Sequence, residues 1–291
     1  FAIVRTDKSD KHKGISFMLI DMDTPGVEVR PITMISGMSP FCETFFTDVK
    51  VPKENLVGEE NKGLRAMFTM MNAARLGVAV EGLGAGELAY QAAAAYAKDR
   101  IQGRSLSGPK APDKPADPII HHADVRRMLL TMRSFVEGSR ALNGLIALQL
   151  DVAQTHPDAA EREKAEDFLG LMTPVAKSFF TDEGSAASNL AVQVYGGHGY
   201  ICEHGVEQFV RDARISQIYE GTNGIQALDY IRRKLLGDGG AELSALQAEF
   251  SQLCDAGADR TALAQMASVV QARLGEWREL STEVIAACQR D

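Results

Sequence analysis

The strongest constraint on this chain is a change in hydrophobic period near residue 60. Before it, short β-type runs at Phe1 to Val4, Ile15 to Ile20, Val27 to Thr33 and Thr44 to Val51 alternate with turn formers, Asp23-Thr24-Pro25-Gly26 and Ser36-Gly37-Met38-Ser39-Pro40. Glycine admits positive φ and proline fixes φ, so these spacers reverse the chain. The runs predict a β meander with too few strands for a closed barrel, whose edges need cover from elsewhere. Phe1-Ala-Ile-Val reads as strand with no polar lead-in, as expected of a chain that opens inside a β domain.

From Asn61 onward the spacing is helical. Leu64, Met67, Phe68, Met71, Leu83, Leu88 and Ala92 continue one apolar stripe to Tyr96, which predicts a helix of roughly 40 residues ending near Gly103. Pro109, Pro112, Pro115 and Pro118 then make the next stretch a loop. A second helix follows on Val125, Met128, Leu129, Met132, Phe135, Val136, Ser139, Leu142, Ile146 and Leu150. A third runs through Phe168, Leu171, Val175 and Phe179 to Val194, where Gly196-Gly197 breaks it, and a fourth spans about Gly221 to Leu236. Together they predict an antiparallel bundle of about four helices. After Gly237-Asp238-Gly239-Gly240 come two amphipathic segments, about 241 to 255 and 260 to 288, that read as a helical appendage.

Composition removes several function classes. With 291 residues there is chain for about two domains and a substantial core. The net charge of -8 implies no general attraction to nucleic acid or to anionic membranes. No apolar run approaches the ~18 residues of a membrane span. Cys42, Cys202, Cys254 and Cys288 lie far apart with no C-x-x-C, which argues against a zinc ribbon or a disulfide framework and points to a reducing, cytoplasmic setting.

Most short motifs have plain readings. Gly82-Leu83-Gly84-Ala85-Gly86 lacks the preceding strand of a dinucleotide loop and is expected to let two helices approach. His121-His122 with Asp124 is not expected to hold a metal, since adjacent helical histidines point apart. Arg126-Arg127 and Arg232-Arg233-Lys234 read as solvated or ion-paired faces. The richest stretch is Gln193-Val194-Tyr195-Gly196-Gly197-His198-Gly199-Tyr200, followed by Arg211-Asp212-Ala213-Arg214-Ile215-Ser216-Gln217-Ile218-Tyr219-Glu220-Gly221-Thr222-Asn223. Glu220 stands where a helix begins, so its carboxylate is either a first-turn charge favoured by the helix dipole or a positioned base.

These two segments, with Val51-Pro52-Lys53-Glu54-Asn55-Leu56-Val57-Gly58, Asn72-Ala73-Ala74-Arg75 and Tyr96-Ala97-Lys98-Asp99-Arg100, resemble the acyl-CoA dehydrogenase family in order and spacing. The resemblance implies a mainly α fold with a partial β domain: residues 1–58 as late strands of the family's middle β domain, 59–236 as its C-terminal four-helix bundle, and 237–291 as the start of the extra helical domain of longer bacterial members. It implies a partial chain, inactive by itself.

The implied reaction is α,β-dehydrogenation of an acyl-CoA thioester to a trans-2-enoyl-CoA, with FAD as cofactor, electron-transfer flavoprotein as electron acceptor, and a homodimer or homotetramer as the assembly. Glu220 matches the base that removes the α proton, its own backbone N–H being one donor to the thioester oxygen. The acyl chain is expected to desolvate this carboxylate and raise its pKa. Arg100 matches the arginine that meets the FAD diphosphate of the neighbouring subunit, with a helix-surface arginine as the alternative. Gln193 and Gly197 match contacts to the adenosine end of that flavin. Thr222 and, less closely, Asn223 match flavin-side positions after the base, although Thr222 could equally be an early-helix hydroxyl. Asn72 and Arg75 match positions near the CoA part of the substrate, an internal ion pair being the other reading of Arg75. Tyr219 and Gly221 flank the base on the substrate side, where a packed core tyrosine would look the same. Gly103 departs from the pattern, since many members carry an aromatic residue there. An oxidase-like enzyme and an inactive binding descendant are the competing readings.

Overall fold

The computed structural model describes residues 1–9, 13–258 and 261–289, and the side chains of Asn72, Ala258, Thr261 and Ala262 lie outside what it describes. The β segment forms two small sheets, where the sequence predicts one meander. β1 (Ala2–Arg5), β2 (Ile15–Met18) and β5 (Leu56–Val57) pair antiparallel in the order β1-β2-β5. β3 (Val27–Ile32) and β4 (Phe41–Phe46) form a separate ladder, with Val27 opposite Phe46 and Ile32 opposite Phe41. The predicted strand Thr44 to Val51 is therefore shifted. Asp48 adopts φ 52°, which ends the extended backbone after Phe46 despite the β-branched Thr47, Val49 and Val51.

The first sheet leads directly into the helices. Ser16 is fully buried, and its hydroxyl oxygen accepts from the Asn61 amide at 2.8 Å. Gly63 opens α1 (Gly63–Asp99) tightly against the backbone of Ser16 and Phe17. α2 (Ala123–Thr155) and α3 (Ala159–Tyr195) follow, the latter capped by Asp158, whose side chain accepts from the Ala160 amide. Gly196, at φ 59°, ends α3 where the paired glycines predict a break.

The fourth member of the bundle is short and broken. α5 (Asn223–Asp229) passes into a π-helical turn over Tyr230–Leu235, and the sequence stripe from Gly221 to Leu236 does not reveal that change. Before it lies α4 (Val206–Ala213), two turns that the sequence reading does not mark. Consecutive bundle helices alternate in direction. α1 and α3 run parallel, with Gly82 beside Phe180 and Thr181 and Tyr96 stacked on Tyr195 at 4.0 Å. α3 is the central helix, buried on two faces by residues that include Leu171, Ala176, Phe180, Ala187, Ala191 and Val194. α6 (Ala241–Ala258) and α7 (Thr261–Cys288) form the predicted appendage, which adds Leu243, Leu246 and, at its edge, Trp277 to the same core.

The β3–β4 sheet reaches the bundle through α4. Gln208 Nε2 donates to the Ser36 carbonyl at 3.0 Å, and Arg211 Nη1 donates to the Ile35 carbonyl at 3.2 Å. The docking sets the Phe41 ring edge-on to Tyr219, centroids 6.3 Å apart.

Candidate active site and flavin cleft

Three of the residues singled out in the sequence converge on one cleft. Arg100 at the end of α1, and Gln193 and Gly197 at the end of α3, line a cavity of about 650 Å³ together with Tyr96, Gly103, His122 and His198. Among the described residues the exposed Arg100 guanidinium has no protein partner, so its five donors remain available to an anion. Nothing stands within 4 Å of where a Cβ at Gly197 would be, so backbone lies open there. Tyr96 donates to or accepts from His198 Nδ1 at 2.8 Å, which fixes one wall.

Gly103 belongs to this cleft for a backbone reason. Its φ is 64°, and its carbonyl accepts from the Asp117 amide while Gln102 N donates to the Asp117 carbonyl, so the chain reverses there into the proline-rich loop. The ring of His122 fills the space beside it, with Nε2 at 2.7 Å from the Gln102 carbonyl. The sequence reading weighs His122 only as a metal ligand. Its place in the cleft follows from the loop that brings residues 102 and 122 together.

The second group lies on the loop before α5, and none of it lines the cleft. Glu220 has φ 54°, a conformation that costs a residue with a Cβ roughly 1–2 kcal/mol, and Gly221 follows at φ 87°. Gln226, fully buried, holds this shape by donating from Nε2 to the carbonyls of both residues at 3.3 Å. Among the described residues the Glu220 amide donates to no protein acceptor. Thr222 caps α5, its hydroxyl oxygen accepting from Ile225 N at 3.3 Å, which leaves the O–H available as a donor. Asn223 is turned inward, its amide engaged by Lys177, Thr181 and Asp182 on α3.

Tyr219 donates a short hydrogen bond to the Glu81 carboxylate on α1. Burial, reinforced by that carboxylate, pushes its phenol well above the usual tyrosine range. Arg75 reaches the same loop, 3.8 Å from where a Cβ at Gly221 would stand. It is 8% exposed and paired with Asp229 at 3.1 Å, so the internal ion pair is the arrangement seen, with Nε left unpartnered. Asn72 lies one turn earlier on α1.

Lys177, Gln226, Asp182 and Glu81 were not singled out in the sequence. Lys177 could have been, because an ionisable residue between Ala176 and the fully buried Phe180 on the central helix interrupts an apolar face.

The family profile described as acyl-CoA dehydrogenase, C-terminal domain, matches residues 61–236. The chain belongs to the acyl-CoA dehydrogenase family. It is 51% identical over 185 residues to a 3-methylmercaptopropionyl-CoA dehydrogenase of Ruegeria pomeroyi, a match covering 64% of this chain and 31% of that protein. It is 35% identical over 240 residues to a broad-specificity linear acyl-CoA dehydrogenase of Mycobacterium tuberculosis, covering 80% and 39%. Among solved structures, butyryl-CoA dehydrogenase from Megasphaera elsdenii superposes with a TM-score of 0.65 at 31% identity, over 78% of this chain and 54% of that one. The chain thus spans about a third of the length of these two curated relatives. Family members are FAD flavoproteins, and the fold of this chain is the mainly α one its motifs imply. No helix among the described residues is long and apolar enough to cross a membrane.

Proposed function

We propose that this chain carries the base and one flavin-facing wall of an enzyme that dehydrogenates acyl-CoA thioesters to trans-2-enoyl-CoA. The observation that carries the reading is Glu220: a residue held in a left-handed backbone by a buried glutamine, which the sequence resemblance matches to the family's base.

The chemistry asks for a base and for relief of enolate charge. Glu220 would accept the proton from the α carbon as the β hydrogen departs with its electron pair and the Cα–Cβ double bond forms. An α C–H is a weak acid, so negative charge builds on the thioester oxygen, where a pre-aimed donor is most effective. The Glu220 amide, with no protein acceptor, is suited to that task. A positioned general base contributes ~10²- to 10⁴-fold.

The cleft fits the diphosphate and adenosine end of FAD. Arg100 would hold the diphosphate as a charged fork, Gln193 would bond the adenosine end, and Gly197 would admit it. FAD, when bound, supplies the hydride acceptor. Since the base loop does not line this cleft, we assign the cleft to the flavin of a neighbouring subunit, which makes a homo-oligomer part of the proposal. Electron-transfer flavoprotein is the proposed acceptor. A structure described as an electron transferring flavoprotein of Acidaminococcus fermentans contains a chain matching this one with a TM-score of 0.66 at 30% identity.

The test is Glu220→Gln in the complete protein. It should keep the yellow flavin spectrum and abolish bleaching by acyl-CoA. Bleaching at the wild-type rate would remove Glu220 from the reaction.

A further inference from the structure

The loop that carries Glu220 is tied to α3 at both ends by one carboxylate. Asp182 Oδ1 accepts from Gln217 Nε2 at 2.6 Å, just before the loop, and from Asn223 Nδ2 at 2.8 Å, just after it. The Asn223 amide is locked in one orientation: its oxygen accepts from Lys177 Nζ at 2.8 Å, while its nitrogen donates to Asp182 and to Thr181 Oγ1 at 3.1 Å. Turning it over would set an NH₂ group against an ammonium and a carbonyl oxygen against a carboxylate.

Lys177 is fully buried and makes no ion pair among the described residues. Burial pulls its ammonium below the usual lysine range. Asp182 opposes that fall, Arg75 adds to it, and Glu220 opposes it. A methionine would fill the same space without desolvating a charge, so packing does not account for a lysine here.

We infer that Lys177 and Asp182 are positioning residues for the base, orienting Asn223 and Gln217 and thereby fixing the Ile218-to-Thr222 loop and the carboxylate of Glu220. The inference rests on the dehydrogenase reading above. The two residues differ in kind. Asp182 ties the two ends of the loop together, whereas Lys177 fixes the orientation of the Asn223 amide at one of them.

The test compares the complete, flavin-loaded wild type with Lys177→Met and Asp182→Asn, following flavin absorbance after rapid mixing with increasing concentrations of an acyl-CoA that bleaches the wild type. Both variants should reduce their flavin about tenfold or more slowly, because small misplacements of a reacting group carry penalties of that order. Substrate binding should stay within about threefold in both, since neither residue is placed against substrate. The loss should therefore fall on the limiting rate of reduction and not on the acyl-CoA concentration that half-saturates it. Reduction within about twofold of wild type in both variants overturns the inference. Asp182 is exposed, so its substitution leaves the core intact and decides the matter by rate if Lys177→Met fails to load flavin. A wild type that no acyl-CoA bleaches defeats the dehydrogenase reading itself, whereas a bleaching wild type with unaffected variants defeats only this inference.

Discussion

Asp117 organises the proline-rich loop beside the cleft. It is fully buried, and Oδ1 accepts from Lys110 N at 2.8 Å, Ala111 N at 2.7 Å and Arg104 Nη1 at 3.1 Å, while Oδ2 accepts from Ser105 N at 2.9 Å. These backbone donors hold its carboxyl far below the usual carboxylate range, the Ser105 amide contributing most. A depressed folded-state pKa gives stability that is present above the unfolded value, near pH 4, and is lost as pH falls toward the folded value. Asp117→Asn should lower the melting temperature by several degrees at neutral pH, and the gap to wild type should close on acidification below about pH 4. A gap that stays constant between neutral pH and strong acid would show that the charge is not what matters. The sequence made this stretch a loop through its four prolines, but one aspartate among many polar loop residues carries no sign that it is the anchor. Glu220 is the opposite case: its proposed role follows from its place in a motif that resembles the family, not from any local pattern.

Between elements, the closest approach is where α1 crosses α3. A Cβ at Gly82 would lie 2.5 Å from the Phe180 carbonyl oxygen, and one at Gly184 would collide with the backbone of Gly82, so neither helix can shift away without opening the core. Gly82→Ala and Gly184→Ala should each destabilise by ~1–3 kcal/mol through overpacking. Gly84 has nothing within 4 Å of its Cβ position, and Gly84→Ala should stabilise by about 0.5–1 kcal/mol through helix propensity and a less flexible unfolded chain. Chemical denaturation of the three variants checks the contrast, and equal effects at Gly82 and Gly84 would refute the packing account. The glycine run was legible as a crossing because it interrupted no helical pattern, yet the sequence could not say which glycines touch. The three long helices were legible for the same reason, a stripe sustained over many turns. α4 was too short to build one, and the π turn after Asp229 alters hydrogen bonding without altering side-chain spacing in a recognisable way. Thr173, Thr181 and Ser188 are buried on a helix face that their polarity assigns to solvent. Apart from Lys177, which interrupts the apolar stretch around Ala176 and Phe180, the network beside the Glu220 loop therefore has no sequence signal until the fold places α3 at the centre.

At the scale of the whole molecule, the proposed flavin contacts are divided between two places. Arg100, Gln193 and Gly197 face the cleft, whereas Thr222 stands at the base loop. On the proposed assignment one flavin would meet only part of this surface in any single subunit, and the β side adds little by itself. β3 and β4 form a two-stranded sheet with Phe41, Phe45, Phe46, Val29 and Ile32 all exposed, an arrangement that is marginal in water without cover. Binding must also offset the lost freedom of the ligand, and a partial contact set leaves little surplus after that cost. The 291-residue chain by itself should accordingly retain FAD weakly or not at all. Mixing the purified chain with excess FAD, removing unbound cofactor by gel filtration and recording the spectrum checks this. Retention of one FAD per chain would show that the surfaces described above suffice, and would contradict the division of the site between subunits. If the chain alone retains none while the complete protein retains a full complement, the open cleft and the uncovered β3–β4 sheet are the two surfaces whose partners supply the difference.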